Sequence, residues 1–295
     1  MANAYLTEAD IRSSMPDSIR TTTTEYNTLM RQLCERVSRF IDRYCKYRFY
    51  PLLDTFYYDG SGTSEQWIDD LLELVEATSI AVSSDNGATY TALALTDYYL
   101  TRAGDYNTPW TYNKIVVNES AGNYPFFYSG QRTIQIEGIW AAHDDRATAW
   151  ESTADTVQNL VELALHATAL TVTDADGVGA DGAIPRFTAG QLLRIELEYV
   201  EVTNVDYTTN ILTIVRGRNG TTDIAHLITT PIDVWRPPMP VRQAAIIQAS
   251  RQIERGFQGF GDARATAEIG QLFYIKALDP EAAALLAPYR KLAVG

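Results

Sequence analysis

The sequence predicts an α+β fold, in which N-terminal and C-terminal helices form a core beside an antiparallel β region and an inserted β-barrel- or sandwich-like module. Two observations predict the helices: apolar residues recur at spacings of three and four in residues 22–50 and again after Pro240. A third predicts the β segments, since residues 54–140 and 160–235 contain short alternating runs between turn signals. The predicted core takes residues 1–150 and 236–295, and the module takes residues 158–235.

The first long helix is predicted from a capping box at Thr22 and Glu25, followed by one apolar stripe. The stripe consists of Leu29, Leu33, Val37, Phe40, Ile41 and Tyr44. A second strong helix is predicted from Pro240, since proline favours the first turn of a helix. Two shorter helical pieces are predicted over residues 266–276 and 280–292.

Turn chemistry predicts the β connections. Asp85-Asn86-Gly87 is the signature of a hairpin, and residues 206–210 form a second predicted turn. Between the two turns in the sequence, a run of alternating residues predicts one buried strand face. It consists of Leu193, Ile195, Leu197, Tyr199 and Val200.

The charge distribution restricts the classes of partner. A formal net charge of −13 over 295 residues argues against a protein that binds nucleic acid with its whole surface. Basic residues concentrate in the two strong helices, whereas most acids lie in residues 54–201. Such separation is typical of head-to-tail self-association, with solvated faces as the alternative. No apolar run is long enough for a membrane span, and the N-terminus has no signal-peptide pattern.

The segment IVRGRNGTTDIAH, residues 214–226, carries two arginines, two glycines and a histidine. It lacks the phosphate-loop pattern, and Asn219-Gly220 favours a hairpin or bulged turn, since both residues tolerate a positive φ. His226 has no acid or nucleophile partner that the sequence reveals. Arg216 and Arg218 are predicted to share a strand face and to meet acids of a neighbouring subunit.

Other chemistry finds little support, so we expect no enzymatic activity, no metal and no cofactor. Cys34 and Cys45 are separated by eleven residues of one predicted helix, about 16 Å, which is too far for a disulfide. The Asp- and Gly-rich segment after Asp174 fails the EF-hand calcium template. The pair Glu196 and Glu198, with several aromatic residues, leaves a sugar-binding or sugar-cleaving β-protein as an alternative.

The order of segments carries a family resemblance. An N-terminal YLTEADIR precedes the amphipathic helix, the strands DTFYYDGSG, TDYYLTRAG and IQIEGIWA follow, and the helix PVRQAAIIQASRQIERGF comes late. This arrangement resembles the head–tail connector (adaptor) proteins of long-tailed double-stranded DNA bacteriophages. The module with its R-G-x-x-G-T turn and histidine resembles a small β-module of phage virion proteins.

The resemblance implies a structural protein of the virion neck, assembled in the host cytoplasm. It implies a homo-oligomeric ring, commonly of twelve subunits, docked under the portal protein. Such a ring extends the channel for passing double-stranded DNA, which it does not bind sequence-specifically, and offers a platform to a stopper or tail-completion protein. The alternative within this class is another neck or tail component, a stopper or tail terminator. Those proteins are expected to be mostly β, so the long terminal helices favour the connector.

Two sets of residues are candidates for these contacts. The portal-docking candidates lie in the C-terminal segment: Tyr274, Leu278, Leu285, Leu286, Tyr289 and Leu292. The subunit-interface candidates are arginines: Arg36, Arg39, Arg43, Arg216, Arg218, Arg251 and Arg255.

Overall fold

The structure is a computed structural model that describes residues 3–14, 24–68, 73–102, 111–179, 182–257, 263–265, 272–274 and 278–290. The chain divides into two compact units. The first unit comprises Met1–Lys46, Glu151–Arg218 and Thr222–Gly295, and the second comprises Tyr47–Trp150 and Asn219–Thr221. The α-helices of the described residues lie in the first unit, and the predicted bounds of the core stay a prediction. The division into compact units does not show whether residues 158–235 are an insertion, so that stays a prediction.

The second unit is built from two antiparallel sheets. The larger has the strand order β1-β7-β3-β4, and the smaller has the order β2-β6-β5. The strands are β1 (Leu52–Gly60), β2 (Glu65–Trp67), β3 (Leu74–Val82), β4 (Thr91–Ala92), β5 (Tyr98–Thr101), β6 (Lys114–Val117) and β7 (Gly130–Trp140). The predicted hairpin is confirmed between β3 and β4, where Asn86 and Gly87 both have a positive φ.

Trp140 anchors the core of the second unit. Its side chain is fully buried at the end of β7, and its indole N–H donates to the carbonyl of Asp54, 3.0 Å away. The rings of Phe56 and Tyr58 on the paired strand β1 lie 4.6 and 6.3 Å from the indole. Aromatic strand residues thus fill this core, as their size and β preference lead us to expect.

The first unit contains the long helices. These are α1 (Glu8–Ser13), α2 (Thr24–Cys45), α3 (Met239–Phe257) and α4 (Pro280–Leu286), the last followed by a 3₁₀ turn over Ala287–Tyr289. α2 ends where Lys46 takes a left-handed φ of 58°. Its inner face buries Leu33, Val37 and Ile41 of the predicted stripe, whereas Phe40 and Tyr44 are half-buried and Leu29 is exposed. Thr22 of the predicted capping box lies outside the described residues.

The remainder of the first unit is a β-module around an antiparallel sheet with the order β10-β13-β12-β11-β15-β8. A two-stranded ladder pairs β9 with β14, and another pairs β16 with β17. The strands are β8 (Trp150–Thr156), β9 (Glu162–Leu163), β10 (Ala169–Thr171), β11 (Leu192–Ile195), β12 (Glu198–Asp206), β13 (Ile211–Val215), β14 (His226–Leu227), β15 (Pro231–Trp235), β16 (Ala263–Ala265) and β17 (Leu272–Tyr274). Aliphatic side chains from β9, β10, β11, β12, β13 and β15, with Phe187, form one continuous core.

Two local predictions are wrong. The predicted helix over residues 266–276 is contradicted at Leu272–Tyr274, which form β17, while most of its other residues lie outside the described part of the chain. Leu197 is exposed rather than on the buried face, because the β11–β12 turn interrupts the strand: Glu196 there has a φ of 54°. The predicted turn at residues 206–210 is confirmed between β12 and β13.

The predicted fold class is also wrong. Among the described residues, 33% lie in strands and 23% are helical, so the protein is mostly antiparallel β-sheet and not a helical core with β additions. The reason is that a strong helical pattern does not show how many residues form strands elsewhere. The helical periodicity at the two ends of the chain is strong, but the alternating segments between them occupy more residues and build cores of their own.

We predict that Trp140→Ala lowers the free energy of unfolding by about 3–5 kcal/mol, because it removes a large buried side chain and its hydrogen bond. Trp67→Ala is the matched control, since Trp67 is half exposed and its ring face contacts the Lys114 ammonium. We expect that control to lose about 1 kcal/mol or less. Urea unfolding followed by circular dichroism measures both, and equal losses would contradict the assignment of Trp140 as the anchor.

Candidate functional site

The segment that the sequence singled out is organised by one buried carboxylate. Glu198 is the first residue of β12 and is fully buried. Arg216, which follows the end of β13, donates to it through two guanidinium nitrogens, Nε to Oε1 at 2.6 Å and Nη2 to Oε2 at 2.5 Å. This bidentate geometry matches the planar fork of the guanidinium to the carboxylate. The antiparallel pairing of β12 with β13 brings the two residues together.

Three further donors converge on the same carboxylate. The backbone N–H of Gly217 donates at 3.0 Å and that of Ile224 at 3.3 Å. The imidazole Nε2 of His226 completes the set at 2.8 Å. Burial alone would raise the pKa of Glu198, but the hydrogen bonds from Arg216, His226 and the backbone outweigh it and lower the pKa to about 2. Glu198 therefore stays ionised and holds the whole loop over residues 216–226.

His226 lies between two carboxylates. Its buried ring contacts Glu198 through Nε2 and Glu196 through Nδ1, each at 2.8 Å. Both ring nitrogens face acceptors, so the geometry favours the doubly protonated imidazolium. Burial alone would lower the pKa of His226, but the hydrogen bonds to Glu198 and Glu196 outweigh it and raise the pKa. The prediction that His226 lacks an acidic partner is wrong.

Arg216 also fixes two neighbouring segments. It lies 3.1 Å from a carboxylate oxygen of Asp223, and it donates to the carbonyls of Ala164 and Ile224. Asp223 in turn accepts from the backbone N–H of His166 at 2.8 Å, and its carboxylate lies 2.8 Å from the imidazole of His166. We call Glu196, Glu198, Arg216, Asp223 and His226 the Glu198 network. It ties β9, the β11–β12 turn and the loop after β13 into one assembly.

The arginines of the segment bind acids of their own chain. Arg218 lies 2.8 Å from Glu201, which follows Glu198 by three residues on β12. Both arginines were expected to reach a neighbouring subunit, and the structure engages both of them internally. Their alternating positions were visible in the sequence. Their partners were not, because the register of β12 against β13 is not a local property.

The predicted Asn219-Gly220 turn is confirmed. Asn219 has a φ of 50° and Gly220 a φ of 85°. In the second unit, the carbonyl of Asn219 accepts from the N–H of Leu53 at 2.9 Å, and its side-chain amide donates to the carbonyl of Pro51 at 2.8 Å. A Cβ at Gly220 would collide with the carbonyl oxygen of Leu53, so glycine is needed there for space as well as for conformation.

A second buried carboxylate occupies the Asp- and Gly-rich part of the module. Asp155 accepts from the backbone N–H groups of Thr156, Thr173 and Asp174, and it lies 3.0 Å from Arg186. Burial alone would raise the pKa of Asp155, but these backbone hydrogen bonds outweigh it and lower the pKa. The segment is thus closed by an internal ion pair. Within the described ranges no group of three or more potential ligands could hold a metal ion.

The portal-docking candidates divide by exposure. Leu286 is fully buried, and Leu278, Leu285 and Tyr289 are half-buried. Tyr274 lies in β17, and Leu292 lies outside the described residues. α4 packs on α3, where the carboxylate of Asp279 lies 3.3 Å from Arg251.

The interface candidates on α2 are more accessible. Arg36 and Arg43 are exposed, whereas Arg39 is half-buried, pairs with Asp42 at 3.0 Å and covers the ring of Tyr5. The side chain of Arg255 lies outside the described residues. Cys34 and Cys45 are both fully buried on the inner face of α2, and burial raises the pKa of each thiol.

The Glu198 network holds neighbouring segments of the chain together through hydrogen bonds. The buried oxygens of Glu198 are saturated by donors of the same chain, which leaves that carboxylate no free position from which to abstract a proton. No family model, curated protein or solved structure matches the chain. None of the helices in the described part of the chain is long and apolar enough to cross a membrane.

We predict that Glu198→Gln lowers the free energy of unfolding by about 3–5 kcal/mol, because it removes the buried charge that Arg216 and His226 share and leaves the buried guanidinium with Asp223 alone. Glu162→Gln is the matched control, since Glu162 is exposed on β9. A change within about 0.5 kcal/mol is expected there. Denaturant unfolding measures the difference, and a tolerated Glu198→Gln would show that the network does not hold the loop.

We predict that stability falls at both ends of the pH range for different reasons. The lowered pKa of Glu198 contributes stability above its ordinary value of 4.5, and this is lost as the pH falls towards about 2. The raised pKa of His226 contributes stability that is complete below 6.5 and is lost as the pH rises through the folded-state pKa.

The alkaline fall is the part assigned to His226. Urea unfolding between about pH 6 and pH 9 should show it in the original chain and in His166→Gln, whose histidine is exposed. The fall should be absent in His226→Gln. A fall that persists unchanged in His226→Gln belongs to another group and refutes the assignment.

Proposed function

We propose that this protein is a non-enzymatic structural component of a phage virion neck. Identical subunits form a ring under the portal, join the DNA-filled head to the tail, and extend the channel through which DNA leaves. The ring then presents a platform to a stopper or tail-completion protein.

One observation carries the proposal: the two ends of the chain pack together in the first unit. Asp10 of α1 lies 2.7 Å from Arg242 of α3, and the hydroxyl of Ser14 lies 2.7 Å from that of Ser250. α2 also packs against α3. A first helix that packs on a late helix is the arrangement that the resemblance to connector proteins implies. This supports a connector role although the fold as a whole is mostly β.

The charge of the chain is compatible with a DNA channel. The β-module over residues 151–235 contains twelve acidic and four basic residues. All four arginines pair with carboxylates of the chain: Arg186, Arg194, Arg216 and Arg218. The unpaired charge of the module is therefore negative. A surface of that sign repels phosphates and lets DNA pass without adhering.

The strand content favours a second candidate from the same class. Stopper and tail-terminator proteins were expected to be mostly β, and 33% of the described residues lie in strands against 23% in helices. This candidate differs from the first in its partner. A connector binds portal rings directly, whereas a tail terminator binds the end of the tail tube.

We predict that the purified chain binds portal rings encoded beside its gene and forms a closed homo-oligomer on them. Native mass spectrometry and negative-stain electron microscopy measure the stoichiometry. Binding to a linear duplex should be absent at physiological salt because the net charge is −13.

Tail-tube protein from the same genome serves as the comparison partner. Binding to the tail tube and not to the portal would replace the connector with the second candidate. A monomer that binds neither of them overturns both assignments.

A further inference from the structure

Exposed aliphatic side chains converge at one end of the β-module. Leu197 is 80% exposed in the β11–β12 turn, and Leu227 is 68% exposed on β14. The set, which we call the apolar tip, consists of Leu160, Val161, Leu165, Leu197, Leu227 and Ile228. Scattered exposed leucines are ordinary on a protein surface, whereas a concentration on neighbouring segments marks an interaction site.

Backbone pairing and the Glu198 network make these segments neighbours. Leu227 pairs directly with Glu162 in the β9–β14 ladder. In the sequence, Glu162 stands between Val161 and Leu165 of the tip. Leu197 lies between Glu196 and Glu198, and both of these carboxylates bind His226, the residue before Leu227. The tip is therefore held in one geometry by buried hydrogen bonds. A rigid apolar surface loses little conformational entropy when it binds.

The border of the tip is acidic. Glu162 is exposed beside Leu227, and the carboxylate of Glu196 is 54% exposed beside Leu197. The nearest arginine, Arg216, is buried in its pair with Glu198. A complementary surface should therefore carry an apolar side chain next to cations.

The exposed face of α2 has that composition. Leu29, Arg36 and Arg43 are spaced by seven residues, which places them in one line along the helix, and all three are exposed. Gln32 is exposed on the same face, and Glu35 lies at its border. The line spans about 21 Å at 1.5 Å per residue.

The tip and the N-terminal part of α2 lie near different ends of β12. β12 begins at Glu198, next to the tip, and its nine residues extend about 26 Å to Asp206. Tyr207 follows there, and burial raises the pKa of its phenol, with a further contribution from Glu8 of α1 and an opposing one from Arg31 of α2. Glu8 of α1 and Arg31 of α2 thus lie near the Tyr207 end of β12, away from the apolar tip at its Glu198 end.

We propose that the apolar tip of one copy docks on the exposed α2 face of the next copy. The contact is heterologous, because two different surfaces of the same chain meet, and repetition of such a contact closes a ring or extends a filament. The inference rests on the self-association in the proposed function and names the surfaces that perform it.

Glutamine substitutions test the apolar part of the contact. Leu197→Gln should weaken self-association about tenfold, the effect of removing one buried aliphatic side chain from an interface. Leu95→Gln is the matched control, because Leu95 is 83% exposed and lies in the second unit. Analytical ultracentrifugation measures the chain alone, and native mass spectrometry measures it on portal rings. Equal effects of the two substitutions overturn the inference.

Cysteine pairing tests the geometry. A chain with Leu197→Cys is mixed with a second chain that carries Gln32→Cys and is oxidised. Cys34 and Cys45 are buried, so they do not compete for the engineered thiols. The two variants should form a mixed disulfide dimer, and a chain with both substitutions should form a ladder of larger species. Ser120→Cys in place of Gln32→Cys is the control and should give no mixed product, since Ser120 is exposed in the second unit.

The outcomes separate the inference from the proposed function. Rings that assemble on the portal without the Leu197–Gln32 cross-link, and without sensitivity to Leu197→Gln, leave the connector role intact and overturn the docking surfaces. A chain that neither associates nor cross-links, alone or with portal, overturns both. A cross-linked ladder without portal binding supports the docking surfaces and removes the connector role.

Discussion

A carboxylate that is removed from water needs several hydrogen-bond donors, and Glu198 obtains five of them from residues 216–226. Two come from Arg216, two from the backbone of Gly217 and Ile224, and one from His226. An unpaired buried charge costs several kcal/mol, roughly the stability of a small domain, so the loop can adopt few other conformations. The positions of β9, β14 and the β11–β12 turn follow from this one requirement. A buried ion pair is not in itself a source of stability, but it selects one conformation among many.

The same device recurs in the module. Asp155 is buried, accepts three backbone N–H groups and pairs with Arg186, which holds the irregular segment after β10 against β8. Each carboxylate fixes, through its hydrogen bonds, a segment that has little regular secondary structure. The second unit is stabilised differently, since aromatic rings around Trp140 fill its core. The first unit thus uses buried ion pairs at its irregular segments, and the second packs aromatic rings between paired strands.

Local signals predicted local structure well. The apolar periodicity of α2, the start of α3 near Pro240, and the turns at Asn86-Gly87 and Asn219-Gly220 depend on residues close together in the sequence, and all are present. The balance between helix and strand was misjudged, because strong helical patterns at the chain ends outweighed many short strands. The partners of His226 and Arg216 could not be predicted, because they depend on the register between strands that are distant in sequence. The available signal was an E-x-E sequence between two alternating segments, and an R-G with a later histidine after a further strand.

The Asn219-Gly220 turn has a consequence for the chemical ageing of the protein. An asparagine followed by glycine is prone to deamidation, because the glycine N–H can attack the side-chain carbonyl carbon and close a succinimide ring. Here the side-chain amide donates to the carbonyl of Pro51, and the backbone carbonyl of Asn219 accepts from Leu53. Rotation of the side chain into the attacking geometry would break the first of these hydrogen bonds. The contacts that shape the turn therefore also protect it against conversion to isoaspartate.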